Sequence, residues 1–560
     1  MNYYIQLKKS NCKNCYKCIR HCPVKSIRIA DHQANIVKEQ CILCGECFVA
    51  CPQNAKQIRD DVAKVKHLLA SGKPVYVSIA PAFAANYPEA DLASLSEALQ
   101  KLGFAGAEET AVGATIVKKR YEEMIAVKSG RVIISSCCHT VNSLIQKHYP
   151  EALPYLAEVL SPMQAHCQRL KEIYSEAYTV FIGPCISKKE EAELYPDIVD
   201  CVLTFEELSS WLAEENITIL PKKYMEADAA GRARLFPIPG GIIRSMLIEQ
   251  SDYDFIAIDG IENCKKAIGN IISGELKNCF IEMSACAGSC VGGPAMDQGH
   301  RALLSDYLRI NHYAGEQDFR LQEPPSEQLI KKFNYLGTHT QMPGSAAITE
   351  ILHKMGKASE EQELNCGSCG YNTCREKAIA VYQGKADLTM CLPFLKEKAE
   401  DFSDNIIYNM PDGVLVLNEE LEVQQINRAA RGILNIQHKS DILNAPVIRI
   451  LNPSVYLEVM TSGMNVHNKL TYLTDYQRYI EETVIYDRTY HIIISIMRDI
   501  TAEEKARLKK EQVSRQTIEI TDKVIEKQMR IVQEIASLLG ETTAETKIAL
   551  TNLKETLRNE

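Results

Sequence analysis

Cysteine spacing constrains this chain more than any other feature. The run Cys12-x-x-Cys15-x-x-Cys18-x-x-x-Cys22-Pro23 is followed by Cys41-x-x-Cys44-x-x-Cys47-x-x-x-Cys51-Pro52. The chain holds 21 cysteines in 560 residues, most of them in tight groups. In a short secreted chain such usage points to disulfides. In a long chain with C-x-x-C spacing it points to metal centres in a reducing compartment.

The doubled run is the pattern of the two-cluster bacterial ferredoxins, and residues 1–60 resemble that module. In that fold the fourth cysteine of each run ligates the other cluster. The resemblance implies one 4Fe–4S cluster on Cys12, Cys15, Cys18 and Cys51, and a second on Cys41, Cys44, Cys47 and Cys22. Such a module conducts single electrons. Zinc knuckles do not call for four cysteines per run followed by proline.

Three more cysteine loops lie far apart in the middle of the chain. They are Ile134-Ser135-Ser136-Cys137-Cys138-His139, Gly183-Pro184-Cys185-Ile186-Ser187-Lys188-Lys189, and Glu282-Met283-Ser284-Ala285-Cys286-Ala287-Gly288-Ser289-Cys290-Val291-Gly292-Gly293. Cys138, Cys185, Cys286 and Cys290 supply four thiolates, enough for one 4Fe–4S cluster. Glycines beside Cys286 and Cys290 let backbone come close to a bulky inorganic group. Taken singly, each of these cysteines also reads as a small buried hydrophobe.

In this order the loops resemble the three signature loops of the FeFe-hydrogenases, over about residues 75 to 310. Ile79-Ala80-Pro81-Ala82, Leu102-Gly103-Phe104 and Ser161-Pro162 also look like the family. The resemblance implies an H-cluster: a 4Fe–4S centre joined through one cysteine to a di-iron unit with CO, cyanide and a dithiolate bridge, which interconverts H2 with protons and electrons. Cys290 matches the bridging ligand, and Cys138, Cys185 and Cys286 complete the cubane. Cys137 takes the place of the proton-transfer cysteine, since a positioned thiol passes protons. Lys188 matches the lysine that hydrogen-bonds a cyanide, an ammonium donor suiting an anionic ligand. Glu191 matches a carboxylate of the proton path, and Glu122 matches another across a gap.

The chain departs from the family at several points. His139 replaces a proline, Gly183 a methionine before Pro184-Cys185, and Ser284 a methionine before Ala285-Cys286. Those methionines pack on the di-iron unit, so a roomier and more polar pocket is expected. The relay serine aligns to Ala157, which has no proton to pass. An interrupted proton wire implies slow turnover and suits a detector better than a high-flux enzyme, the pattern of the sensory-type FeFe-hydrogenases. Cys167, Cys201, Cys264 and Cys279 fit no motif and read as structural.

Apolar runs at Val75–Ala80, Val132–Ile134, Val180–Ile182 and Phe255–Ile258 read as buried parallel strands, with helical patterns such as Leu92–Leu102 and Met163–Tyr174 between them. The expected fold class is multidomain α/β and α+β. It comprises a two-cluster ferredoxin domain (1–60), an α/β FeFe-hydrogenase-like domain (61–345), a small 4Fe–4S domain (360–395), a PAS domain (396–500) and signalling helices or a coiled coil (501–560).

The small domain rests on Cys366-x-x-Cys369-x-x-x-x-Cys374 and Cys391-Leu392-Pro393, which resemble a 4Fe–4S module of redox membrane complexes and sensory hydrogenases. Zinc remains open there, because a lone set of four cysteines is less diagnostic. By sequence this group lies between the hydrogenase-like domain and the carboxyl-terminal region, where it would report redox state onward.

Asn405–Asn418, with its Pro411-Asp412-Gly413 turn, and Ile426-Asn427-Arg428-Ala429-Ala430 resemble the opening of a PAS domain. Arg498-Asp499-Ile500-Thr501 resembles the motif that couples such domains to a helix. The PAS ligand is unknown. No cysteine follows Cys391, which excludes a flavin-cysteinyl photoswitch, and His438, His467 and His491 are the haem candidates. Val513, Val524, Ile531, Ile535 and Leu538, then Ile548, Leu550, Leu553 and Leu557 beyond a break at Gly540, give apolar stripes for a helical hairpin or a dimeric coiled coil. This tail carries no phospho-acceptor histidine, so output is expected to pass to a protein phosphatase or kinase acting in trans.

The net charge of −9 argues against nucleic acid as partner. Met1–Ser10 lacks a signal-peptide core, and no apolar run approaches the ~18 residues of a membrane span. A cytoplasmic protein of an anaerobe, with no membrane contact, is the expectation. The function read from the chain is a hydrogen- or redox-sensing hydrogenase of slow turnover. It would exchange electrons with a carrier such as ferredoxin and pair as a homodimer through the PAS domain and helices. The alternatives are a catalytic ferredoxin-linked hydrogenase and an iron–sulfur scaffold without the di-iron unit.

Overall fold

Parallel strands need crossovers of a dozen or more residues, which the helical stretches between the apolar runs provide. The structure, a computed structural model, describes residues 3–31, 33–127, 130–221, 230–248, 251–297, 303–322, 324–337, 341–539 and 544–558. The chain divides into two compact units, Met1–Phe394 and Leu395–Glu560.

Two parallel sheets form the middle of the first unit. One has four strands in the order Gly106–Glu109, Val75–Ile79, Tyr178–Gly183, Cys201–Thr204. The other has three, in the order Asp254–Asp259, Cys279–Ser284, Ile133–Ile134. The strands expected from the apolar runs are present, but Asp254–Asp259, expected to be buried, is an edge strand with no buried residue. The run at Val132 gives only two strand residues, because the chain turns away at once. Ser135 N still bonds Ile281 O at 3.0 Å, but Ser136 N is taken by the Tyr121 hydroxyl at 3.0 Å.

The helix Ala111–Ala126 lies against the helix Pro162–Ile173 with almost no room between. A Cβ on Gly113 would sit 2.3 Å from Pro162 O and 2.7 Å from His166 Cβ. Glycine is what permits this approach. The second helix starts at a capping box, with Ser161 as cap, Pro162 at its first position and Gln164 closing it.

The amino-terminal module consists of two antiparallel pairs, Ile5–Leu7 with Lys56–Ile58 and Ile27–Ala30 with Gln33–Ile36, and the short helices Lys17–His21 and Glu46–Val49. Its apolar core takes in Cys18, Cys22, Cys41 and Cys47, and also Ile186 and Ala295 from the middle region. It takes in Cys369, Tyr371 and Met390 as well. The Cys366–Cys391 segment, placed by sequence between the middle region and the tail, thus packs in space on the amino-terminal module. Lys25 Nζ donates to Gly370 O at 2.9 Å, and Ile29 N to Lys385 O at 3.1 Å.

In the second unit, five antiparallel strands lie in the order Val423–Ile426, Gly413–Asn418, Ile492–Asp499, Arg478–Asp487, Val466–Leu473. Numbered along the chain the order is 2-1-5-4-3. The helices Arg428–Ile433 and Ser454–Ser462 pack on it. Asp499 accepts from the Thr501 N–H at 3.0 Å and from its hydroxyl at 2.5 Å. There the helix Thr501–Leu539 begins. A second helix, Ala544–Arg558, folds back so that Lys554 pairs with Asp522 at 3.1 Å. Gly540, the expected break, lies outside the described residues. Val513, Val524, Ile531 and Ile535 are exposed along the long helix. Among the described residues no helix is long and apolar enough to cross a membrane.

Asn427 ties this unit together from one buried side chain. Its oxygen accepts from Val414 N at 2.9 Å and Ala430 N at 2.8 Å, and its amide donates to Ile407 O at 3.0 Å and Asp412 O at 2.8 Å. Loss of a cap and of buried hydrogen bonds each costs about 1 kcal/mol or more. Asn427→Ala is expected to destabilise the second unit by about 2 kcal/mol or more in denaturant unfolding, leaving the transition of the first unit in place.

Candidate active site

In open α/β sheets, ligand sites form outside the carboxyl ends of the strands. Here Ile133–Ile134 leads into Cys137 and Cys138, Tyr178–Gly183 into Cys185, and Cys279–Ser284 into Cys286 and Cys290. Val75–Ile79 and Gly106–Glu109 end beside them at Ala80 and Thr110. These ends enclose a cavity of about 120 Å³ whose wall includes Cys137, Cys138, Cys185, Lys188, Glu282 and Cys290. Cys290 is exposed and lines this cavity.

The expected roomier, more polar pocket is not what the wall shows. It is largely apolar, with Pro81, Met163, Phe181 and Ile242 among its residues. At Gly183, a Cβ would lie 2.8 Å from the Phe181 ring and 3.0 Å from Ala80 Cβ, so these two groups fill the space a side chain would take. The Ser284 hydroxyl is turned to Ser289 Oγ at 2.7 Å.

Charges converge on one side of the cavity. Lys188 Nζ donates to Cys137 O at 3.1 Å and to Glu191 Oε2 at 2.5 Å. Glu191 is fully buried and also accepts from Lys331 Nζ at 2.6 Å and Ser161 Oγ at 3.1 Å. Burial pushes its carboxyl up, but Lys188, Lys331 and His139 outweigh that and hold it well below the carboxylate range. Burial pulls Lys188 down, and Glu191 more than restores it. Glu191 is thus a fixed anion and Lys188 a fixed cation at the cavity wall. His139 Nε2 faces Glu190 Oε2 at 3.2 Å.

Burial pushes the Cys137 thiol up to about 12, with the Tyr121 hydroxyl, 3.2 Å from its sulfur, pulling it back. Cys137 is therefore a protonated thiol at neutral pH. Ala157, at the position of the relay serine, packs in an apolar cluster with Cys137 and Tyr121. Glu122 is not part of the cavity wall. Its carboxylate accepts from Leu247 N at 2.7 Å and stands 3.5 Å from the buried Lys118 Nζ.

Burial is the largest cause raising the Cys138, Cys286 and Cys290 thiols, and each is raised further by neighbouring cysteines. A cationic iron–sulfur core relieves both effects, so this donor set fits a 4Fe–4S group. The open face of Cys290 on the cavity fits a ligand shared with a second metal unit.

The amino-terminal cysteines fall into two sets. Cys12, Cys15, Cys18 and Cys51 line one cavity of about 20 Å³. Burial pushes Cys18 up to about 11; Lys56 lowers it, and Cys15, Cys12 and Cys51 add to the rise. Cys44, raised first by burial, is raised next by Cys22, Cys47 and Cys41. Cys369, Cys374 and Cys391 surround the buried Lys377, while Cys366 Sγ lies 3.2 Å from Ser368 Oγ. Among the described residues no three His, Cys, Asp or Glu side chains close on a single metal ion.

Known proteins resemble three stretches of the chain. Residues 73–294 match the iron only hydrogenase large subunit, C-terminal domain. This region is similar to the FeFe-hydrogenase large-subunit family. Residues 4–52 match a 4Fe-4S dicluster domain and residues 362–393 a putative Fe-S cluster family. The chain is 28% identical over 387 residues to the periplasmic Fe hydrogenase large subunit of Nitratidesulfovibrio vulgaris, covering 56% of this chain and 91% of that protein. It is 25% identical over 355 residues to iron hydrogenase 1 of Clostridium pasteurianum, covering 52% of this chain and 61% of the relative. A solved FeFe-hydrogenase from Chlamydomonas reinhardtii aligns at a TM-score of 0.38 and 20% identity, over 50% of this chain and 100% of that one.

Sequence reasoning missed several groups of the hydrogenase region. Tyr121 sits on a helix with no motif, and Lys331 lies 140 residues beyond the carboxylate it pairs with. The third is Glu282, whose place in a cysteine loop gave no sign of a role of its own. Burial pushes its carboxyl up to about 7, although the N–H groups of Ile243, Ile242, Gly240 and Gly241 pull it down. Its folded value lies above the ordinary 4.5, so the folded state keeps a proton that the unfolded state has released. Stability from this group is full below about pH 4.5 and is lost as pH rises through about 7, by about 3 kcal/mol in all. Glu282→Gln is expected to flatten this part of the pH profile of the unfolding temperature and to stabilise the protein at pH 8.

Proposed function

We propose that this chain is a hydrogen- or redox-sensing FeFe-hydrogenase of slow turnover for H2 ⇌ 2 H+ + 2 e−. The observation that carries this reading is one buried cavity walled by Cys138, Cys185, Cys290, Cys137 and Lys188, with an apolar Ala157 where a relay serine belongs. Cys138, Cys185, Cys286 and Cys290 would hold the 4Fe–4S part of an H-cluster, and the cavity would hold its di-iron part, with Cys290 shared. When bound, that group supplies the metal centre at which H2 is split or formed. The protein's own share is to keep Lys188 charged as a donor to an anionic ligand, and to hold a proton at Cys137 Sγ. It also keeps water scarce behind an apolar wall.

The proposed electron path runs from this site to the set Cys22, Cys41, Cys44 and Cys47. Cys44 shares an apolar cluster with Cys138, and its proximity helps raise the Cys286 thiol. The packing of Cys369 and Tyr371 against Cys22 and Ile19 supports a branch to the Cys366, Cys369, Cys374 and Cys391 centre. The set Cys12, Cys15, Cys18 and Cys51 would meet a carrier such as ferredoxin. We read the second unit as the output: a PAS domain and helices that pair in a homodimer and engage a phosphatase or kinase in trans, in the cytoplasm. The retained Cys137 and Lys188 equally favour a second reading, a catalytic hydrogenase whose PAS domain only regulates it.

Infrared spectroscopy on protein made with the di-iron maturation machinery tests this. CO and cyanide bands that shift under H2, with turnover far below that of the relatives assayed alongside, are the expected result. Shifting bands with turnover equal to theirs would favour the catalytic reading. Fully matured protein without such bands would leave an iron–sulfur scaffold.

A further inference from the structure

A hydrogenase site must exchange protons with solvent, and the polar groups at this cavity differ in whether they lead anywhere. Cys137 Sγ meets the Tyr121 hydroxyl, which lies 3.2 Å from Ser136 Oγ, and Ser136 Oγ donates to Val159 O at 3.0 Å. That line ends on a backbone carbonyl. Glu191 is locked as an anion between two lysines. Glu282 ends on the backbone N–H groups of the helix Gly241–Ser245.

A different part of the wall offers a continuous line. The Thr110 side chain lies 2.8 Å from Ser78 Oγ through its hydroxyl, and Thr110 borders the cavity. Ser78 Oγ lies 2.8 Å from His166 Nδ1. His166 Nε2 stands 3.5 Å from Glu108 Oε2 and has no shorter hydrogen bond among the described residues. Ser78 and His166 are fully buried, whereas the Glu108 side chain is 34% exposed.

We propose that Thr110, Ser78, His166 and Glu108 form a proton relay between the cavity and solvent. It rests on the hydrogenase reading above. Inward, Glu108, which the hydrogen bond from His166 holds as a carboxylate, takes a proton from solvent and passes it to His166 Nε2 while Nδ1 releases one to Ser78 Oγ. Ser78 passes its hydroxyl proton to Thr110 Oγ1, and Thr110 releases its own into the cavity. One proton enters at Glu108, one leaves at Thr110, and no group gains net charge. A neutral imidazole, with one donor and one acceptor nitrogen, does this by exchanging tautomers. Each passage leaves the ring in its other tautomer, so a further inward proton requires the ring to rotate about its Cβ–Cγ bond as well as the hydroxyls to turn back; the outward path is the reverse.

The surroundings of His166 suit the task. Burial lowers its basicity and Glu108 partly restores it. Arg169 opposes the charged form and Glu109 favours it, although Glu109 is itself clamped by Arg234 at 2.8 and 2.6 Å. On the outer side the Tyr174 hydroxyl donates to Glu108 at 3.4 Å. Gly113, which admits no side chain, lets the His166 helix come close.

The test uses full-length matured protein with the substitutions Glu108→Gln, His166→Gln and Thr110→Val. A positioned proton-transfer group contributes about 10²–10⁴-fold. The expected result is at least a ten-fold loss of H2 turnover in each, with the CO and cyanide bands and iron content unchanged. Two readouts do not depend on turnover. The ¹⁵N resonances of His166 should shift in Glu108→Gln, and an infrared carboxyl band that titrates in wild type should vanish in the same variant. Should His166→Gln fail to fold, the half-buried Glu108→Gln decides alone. Normal bands with unchanged turnover in Glu108→Gln would overturn the relay and leave the hydrogenase reading standing. Absence of CO and cyanide bands from wild type would remove that reading, and the relay with it.

Discussion

A buried thiolate is stable only beside a cation, because burial in a low dielectric penalises the charged form. This molecule gathers buried thiols in the amino-terminal module, around the central cavity and in the Cys366 segment, and the rest of its first unit is arranged around that constraint. Burial raises Cys18, Cys44, Cys138, Cys286 and Cys290, and neighbouring cysteines raise each of them further. Lysines partly answer it: Lys56 by Cys18 and Cys47, Lys188 by Cys137 and Cys290, Lys377 by Cys369 and Cys391. Their own positions are fixed by carboxylates or carbonyls, such as Glu191 for Lys188 and Leu388 O for Lys377. Full neutralisation of the thiolates calls for iron, which explains why the apolar cores of three sequence regions share cysteine-rich walls.

Much of this was legible from sequence because cluster ligation needs short, repeated spacings. The cysteine runs, the strand–loop placement of Cys138, Cys185 and Cys290, and the turn at Pro411-Asp412-Gly413 that leads into a strand are local patterns. What sequence hid is long-range. Lys331 reaches Glu191 across 140 residues, and Tyr121 meets a cysteine from a helix that carries no motif. The docking of the Cys366 segment on Ile19 and Cys22 could not be seen from its place along the chain. The expectation about the pocket failed for a packing reason: Phe181 and Ala80 take up the space beside Gly183, and Ser284 turns to Ser289. A missing side chain does not leave a void where neighbours are able to fill it.

The electrostatics divide the cavity wall into fixed and exchangeable groups. Lys188 and Glu191 keep their charges, since each stabilises the other in a site neither leaves. Cys137 and Glu282 hold protons near neutrality. A site built this way changes protonation at a few atoms while its field stays constant, which is the preorganisation that proton-coupled chemistry requires.

The contact between the beginning of the chain and its fourth cysteine group has a consequence for biosynthesis. Arg20 reaches Ser368 O from 348 residues away. At typical ribosomal rates of about 5–20 residues per second, that partner emerges roughly 20–70 s after the amino-terminal module is made. During this interval the face around Ile19 and Cys22 is uncovered while its neighbours are still being translated. The late segment can therefore cover this face only after the whole middle region has been translated.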